Sequence, residues 1–136
     1  MSSKMIKFSV VTICYNAERY IEETVKSVLS QTYSNIEYIV IDGDSKDNTK
    51  SILSKYINKI SIYVSERDNG IYDAMNKAVK LATGDYIVFM NAGDLFYNEN
   101  TLTNVDKQLT RSKYPDVLYG DCGFKDNTDI EKALPF

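Results

Sequence analysis

The sequence predicts an α/β domain built on a mostly parallel sheet, and three observations predict it. Short apolar runs rich in β-branched and aromatic residues alternate with stretches of helical periodicity from Phe8 to Tyr119. Most of these runs empty into a polar turn of Asn, Gly or Asp. No repeat, low-complexity tract or linker interrupts the alternation. A length of 136 residues suits one domain able to bury a core.

Phe8 to Cys14 reads as the first strand, ending at Tyr15-Asn16. From Glu18 to Gln31, the residues Ile21, Val25, Val28 and Leu29 recur at helical spacing, with Glu22 and Glu23 early, where the helix dipole favours acids. Tyr33-Ser34-Asn35 turns into a second strand, Ile36 to Ile41, which ends in Asp42-Gly43-Asp44-Ser45. Ser45 and Asn48 form an N-cap region for a helix carrying Ile52, Leu53, Tyr56 and Ile57 on one face. Ile60 to Val64 is a short third strand, followed by the polar loop Ser65 to Gly70.

A third helix is expected to turn Ile71, Met75, Ala78, Val79 and Ala82 inward and to stop at Gly84 in the C′ position. Tyr86 to Met90 is an unbroken apolar run, expected as a central strand buried on both faces. It ends in Asn91-Ala92-Gly93-Asp94. A helix from Glu99 to Leu109 puts Leu102, Val105 and Leu109 in register, and Val117-Leu118-Tyr119 reads as a fifth strand leading into Gly120-Asp121. From Cys122 onward the periodicity decays, so the sequence is expected to be a piece of something longer.

Composition excludes several chemistries. A net charge of −3 with scattered Lys and Arg lacks the footprint of a nucleic-acid binder. There is no histidine, which removes histidine general-base catalysis and imidazole-bound zinc. Cys14 and Cys122 are distant in sequence and read as free thiols of a reducing cytosol. The N-terminus lacks the apolar core of a signal peptide, and no segment approaches about 18 apolar residues. A cytoplasmic location is expected.

Three of the strands end in polar clusters: Cys14-Tyr15-Asn16, Asp42-Gly43-Asp44 and Asn91 to Asp94. In a parallel sheet these ends share one edge, where ligands of open α/β sheets gather. Singly, each is an ordinary turn; together they point to a nucleotide site. Asp94, beside a glycine that allows close backbone approach, suits a divalent cation neutralising a diphosphate. The loop before the third helix adds Arg67, a natural diphosphate partner, and Asp68, able to accept from a ribose hydroxyl. The glycine patterns of dinucleotide-binding and P-loop sites are missing. A receiver-like domain would need an acidic pair after the first strand and a lysine after the fifth, and Cys14-Tyr15-Asn16 and Gly120-Asp121 supply neither.

Four blocks carry a family resemblance: Phe8 to Asn16, Ser30 to Thr49, Glu66 to Ala78 and Ala82 to Asp94. In this order they resemble the N-terminal half of a family 2 glycosyltransferase with the GT-A fold, a Rossmann-like three-layer α/β/α arrangement. The resemblance implies a nucleotide-diphospho-sugar donor, a glycan or lipid-linked acceptor, inversion at the transferred carbon, and Mg²⁺ or Mn²⁺ as cofactor. Its metal- and diphosphate-binding motif falls on Asn91 to Asp94; Asn91 stands where an aspartate is usual, leaving Asp94 as the metal-binding carboxylate. Its base pocket falls on Cys14, Tyr15, Asn16 and Asp42 to Ser45. Gly43 replaces the acid that often reads uracil, so readout is expected from Asp42 or Asp44. Ile13 also departs, since many members have proline there. Arg67 and Asp68 match the loop that closes over the nucleotide.

In this family the general base comes from a later acidic motif, here expected beyond Phe136, with Asp121 only a residue at the site edge. Donor recognition without complete catalysis is therefore expected of these residues. Association of the parent enzyme with the inner membrane surface, and self-association through exposed apolar surface, are further expectations. Two other readings stay open on the sequence: a nucleotidyltransferase, although Asn16-Ala17-Glu18-Arg19 is neither glycine-rich nor strongly basic, and a non-catalytic nucleotide-binding fragment.

Overall fold

All seven side chains of the first strand, β1 (Phe8–Cys14), are buried, and this decides the shape of the sheet. A strand that is apolar on both faces needs a neighbour on each edge and a helix layer above and below. The computed structural model, which describes residues 5–116, supplies both. The element order is β1, α1 (Ile21–Leu29), β2 (Ile36–Asp42), α2 (Thr49–Ser54), a single 3₁₀ turn (Ile57–Lys59), β3 (Ile62–Ser65), α3 (Ile71–Leu81), β4 (Tyr86–Phe89) and α4 (Thr101–Arg111). The strands pair in the order β3-β2-β1-β4, all parallel.

The chain moves outward from β1 to β3, then returns to the far side of β1 as β4. With right-handed crossovers that reversal puts α3 on the opposite face from α1 and α2. The register agrees with two apolar faces. Val11, Ile13, Ile39 and Ile41 share one face with Ala74 and Ala78 of α3, where small side chains allow close approach. The other face carries Phe8, Val10, Tyr38 and Val40, and the polar pair among them, Thr12 Oγ1 with the Tyr38 hydroxyl at 2.7 Å, is satisfied. Ile21, Val25 and Val28 form the buried stripe of α1.

Four expectations are corrected. The Tyr86 strand is not the central, doubly buried one: among the described residues β4 pairs only with β1, and Ile87 is 37% exposed. The expected fifth strand at Val117–Tyr119 lies outside the described residues. On α3 the fully buried residues are Ala74 and Ala78, with the expected Met75 and Ala82 packed partly buried against the same core, while Ile71 and Val79 are about half exposed, because the helix meets the sheet most closely through its small residues. The helix after the second strand stops at Ser54, and Ile57 falls in the exposed 3₁₀ turn. Its first turn is held by Asp47, whose Oδ1 accepts from the Thr49 amide at 2.9 Å, rather than by Ser45 or Asn48.

The fourth correction concerns Gly84. Its φ is not positive, so it is no left-handed helix stop, and α3 ends at Ala82 in an extended conformation. A Cβ on Gly84 would lie 2.5 Å from Ser9 Oγ and 2.8 Å from the Lys7 carbonyl oxygen. Glycine is required because the turn lies directly on β1. Glu37 holds this contact together from inside the sheet: it accepts from Ser9 Oγ at 2.8 Å, the Thr83 amide at 2.9 Å and Thr83 Oγ1 at 2.7 Å.

By contacts the chain divides into two units, residues 1–104 and 105–136; the sheet and every described site residue lie in the first. Among the described residues, no helix is long and apolar enough to cross a membrane.

Candidate functional site

The strand order makes β1 the switch point, since the chain leaves it toward β2 on one side and reaches β4 on the other. The crevice at its carboxyl end is where such sheets bind ligands. The loops after β1 and β2 are laced together there. Asn16, in the left-handed region at φ 47, donates its amide to Ser45 Oγ at 2.8 Å, and its Oδ1 accepts from the Lys46 amide at 2.7 Å. Asn is among the few residues that adopt this conformation readily. The Ala17 amide reaches Thr49 Oγ1 at 2.8 Å, and the Gly43 amide reaches the Cys14 carbonyl at 3.0 Å.

Asp42 organises this lattice from below. It is fully buried, opposite Cys14 in β1 and Ser65 in β3. Its Oδ2 accepts from the Ser45 amide at 3.0 Å and Ser65 Oγ at 2.8 Å; its Oδ1 accepts from Ser45 Oγ and, at 3.6 Å, from the Cys14 thiol. A buried carboxylate is stable only with such a donor set. Burial, and then the Asp42 charge beside it, push the Cys14 thiol far above its ordinary range, so it stays protonated. The side chains of Cys14 and Asp42 therefore belong to the interior beneath the crevice.

Asp44, at φ 63, faces outward and bonds Lys46 Nζ at 2.8 Å and Lys50 Nζ. Hydrogen bonds and charge from these two lysines hold its carboxyl down at about 2. Tyr15 remains 59% exposed at the rim. Asp68 is half-buried; its Oδ1 accepts from the Gly70 amide at 3.0 Å, while Oδ2 lies 3.0 Å from the point a Cβ on Gly43 would occupy. Arg67 is exposed, and its guanidinium makes no hydrogen bond or ion pair among the described residues. Its backbone is steadied by Lys77, which donates to the Arg67 carbonyl at 3.3 Å and pairs with Glu66 at 3.2 Å.

The acidic turn runs beside the end of β1, with the Ala92 amide on the Ile13 carbonyl at 3.2 Å. Asp94 is exposed; its Oδ2 accepts from the Asn91 amide at 3.0 Å, and its own amide donates to the Asn91 carbonyl at 2.8 Å. Asn91 Oδ1 is buried and has no donor among the described residues. Gly93 has φ 101, the conformation that makes glycine necessary. Its amide donates to Thr24 Oγ1 at 2.8 Å, and the Phe96 amide donates to Ser27 Oγ at 2.8 Å.

Thr24 and Ser27 on α1 thus fix the turn that presents Asp94, and sequence reading missed both. The available signal was a buried Thr on an otherwise apolar stripe. Ser65, a donor to Asp42, was also missed, and Ser45, read as part of the base pocket, instead donates to Asp42. Thus Cys14, Tyr15, Asn16, Asp42 and Asp44 lie on the two interlaced loops after β1 and β2, Asp68 approaches Gly43 between them, and the Asn91–Asp94 turn lies along the same strand end. Asp121 lies outside the described residues.

Comparison with known proteins gives a consistent result. Residues 9–128 match the family model described as Glycosyl transferase family 2. The putative teichuronic acid biosynthesis glycosyltransferase TuaG of Bacillus subtilis is 36% identical over 133 residues, covering 93% of this chain and 51% of TuaG. A PGL/p-HBAD biosynthesis glycosyltransferase of Mycobacterium tuberculosis is 32% identical over 117 residues, covering 84% of this chain and 46% of the relative. The chain spans about half the length of these relatives. Among solved structures, S. aureus TarS 1-349 in complex with UDP-GlcNAc matches with TM-score 0.71 and 31% identity, over 78% of this chain and 32% of that one. The mannosyltransferase PcManGT from Pyrobaculum calidifontis, in complex with GDP-Man and Mn²⁺, matches with TM-score 0.71 and 28% identity, over 79% of this chain and 33% of that one.

Proposed function

The chain belongs to glycosyl transferase family 2, and from that premise we propose that its strand-end site holds a nucleotide-diphospho-sugar whose sugar is transferred, with inversion, to a glycan or lipid-linked acceptor in polysaccharide biosynthesis. The observation that carries this reading is the Asn91–Asp94 turn, which presents an exposed carboxylate beside the switch point of the sheet. The neighbours named with UDP-GlcNAc and with GDP-Man support the donor class. TuaG, named for teichuronic acid biosynthesis, supports the pathway class.

The residues fit a divalent cation of the Mg²⁺ or Mn²⁺ kind. Among the described residues Asp94 Oδ1 takes no hydrogen bond, and the buried Oδ1 of Asn91, in the same turn, has no donor. No cluster of three or more acidic or thiol ligands exists among the described residues, so most of the coordination sphere would fall to diphosphate and water. When bound, such an ion stabilises negative charge on the departing nucleoside diphosphate.

The chain's own residues do the rest of donor binding. Arg67 offers a forked guanidinium to the diphosphate. Tyr15 offers an exposed ring for stacking, and the Asp42–Ser45–Asn16 lattice keeps the crevice open in one shape, which lowers the ordering cost of binding. A lipid-linked acceptor would bring a cytoplasmic protein to the inner face of the membrane.

Substituting Asp94→Asn tests the reading. Mn²⁺-dependent affinity for UDP or GDP, measured by titration calorimetry on the intact protein, should fall about tenfold or more. Thermal stability should stay close to wild type, because an amide oxygen can still accept from Asn91. Unchanged metal-dependent affinity would refute the assignment.

A further inference from the structure

Three carboxylates stand near the nucleoside end of the crevice, and two are already engaged. Asp42 is buried beneath it and filled by donors from Ser45, Ser65 and Cys14. Asp44 is tied to Lys46 and Lys50. Neither has an oxygen without a partner. Asp68 does: Oδ1 is fixed by the Gly70 amide, and Oδ2 accepts nothing among the described residues.

Gly43 explains where that free oxygen points. Backbone conformation does not require glycine at position 43, since its φ is not in the left-handed region; the strained position is the next residue, Asp44. Glycine leaves room there that any side chain would crowd. A Cβ there would meet Asp68 Oδ2 at 3.0 Å and Tyr15 Cδ1 at 3.4 Å. The bare face of Gly43 is therefore the point on which a carboxylate oxygen and an exposed aromatic ring converge. One is an obligate hydrogen-bond acceptor and the other a stacking surface. A flat heterocycle with a ring N–H satisfies both.

We propose that Asp68 is the residue that reads the nucleobase, accepting a ring N–H, and that position 43 is glycine to admit it. This rests on the reading of the crevice as a nucleotide-diphospho-sugar site. It moves Asp68 from the ribose, where the sequence placed it, to the base. The chemistry selects bases with a lactam N–H, uracil or guanine, over cytosine and adenine, whose corresponding ring nitrogen is an acceptor and would face the carboxylate unpaired. UDP and CDP are of similar size and differ only at that atom and its neighbouring exocyclic group, whereas GDP and ADP differ there and in the 2-amino group of guanine.

The test is titration of the intact protein with UDP, CDP, GDP and ADP at one Mn²⁺ concentration. In wild type the lactam member of the tighter-binding pair should win by about tenfold. In Asp68→Asn the Gly70 amide keeps the side-chain oxygen, so the NH₂ turns toward the base and the ratio should invert. In Asp68→Ala the ratio should fall to about one, with both nucleotides still bound. A merely structural role for Asp68 would weaken both members equally and leave the ratio unchanged. The double variant Gly43→Asp, Asp68→Gly moves the acid to the other side of the same point and should restore the lactam preference. Wild-type binding without discrimination, or a ratio unmoved by Asp68→Asn, overturns this assignment and leaves the donor site standing. Failure of all four nucleotides to bind overturns both.

Discussion

Replacing Gly84 by alanine separates two accounts of the same glycine. A Cβ at this position would sit 2.5 Å from Ser9 Oγ, 2.7 Å from the Ser9 amide nitrogen and 2.8 Å from the Lys7 carbonyl oxygen. Two of these three are backbone atoms of the β1 region and cannot swing aside. The turn must lift off the sheet, losing the bond from the Gly84 amide to Ser9 Oγ and straining those from Thr83 to Glu37. Overpacking costs about 1–3 kcal/mol and one lost buried hydrogen bond about 1 kcal/mol, so Gly84→Ala should destabilise by about 2–4 kcal/mol. If the glycine merely stopped the helix in a left-handed conformation, alanine would cost about 1 kcal/mol and asparagine less. Crowding reverses that order, because asparagine is larger. Guanidinium unfolding of wild type, Gly84→Ala and Gly84→Asn decides between them. An alanine cost below about 0.5 kcal/mol, within the range of ordinary surface changes, or an asparagine variant more stable than the alanine one, would refute the close-approach account.

Two further outcomes are expected. Burial pushes the Glu37 carboxyl up, but the Thr83 amide and hydroxyl, the Ser9 hydroxyl and Lys7 outweigh it and hold the group below the usual carboxylate range. Its contribution to stability is thus present above the ordinary glutamate value of about 4.3 and is lost as pH falls below it; Glu37→Gln should flatten that acid limb in melting curves recorded against pH and cost about 1–2 kcal/mol at neutrality. The buried Cys14 thiol, held protonated, should resist iodoacetamide at about pH 8 in the native protein and react only on unfolding, as peptide mass mapping would show. Rapid native labelling of Cys14 would contradict its placement.

The order and type of the elements were legible in the residues because period and local propensity depend on near neighbours alone. Phe8–Cys14 reads as a strand, and it is one, although the burial on both faces expected of Tyr86–Met90 belongs to it instead. The meeting of polar strand ends on one edge follows from parallel pairing, which the βαβ alternation already implies. Family membership was legible for a related reason: the blocks that resemble family 2 glycosyltransferases include the turns whose backbone the site is made of, among them Asn16, Gly93 and Asp94.

What each polar residue does at that edge was not legible, because it depends on partners far away in the chain. Asp42, Asp44 and Asp68 look alike in sequence. Register places Asp42 under the crevice between Cys14 and Ser65, two lysines occupy Asp44, and only Asp68 keeps an oxygen open beside Gly43. Sequence likewise cannot tell a glycine needed for its φ, as at Gly93, from one needed for the space it leaves, as at Gly84. A dihedral preference is a property of one residue, whereas a forbidden Cβ is a property of whatever the fold brings within 3 Å of it. Those contacts exist only once β1, β2 and β4 lie side by side.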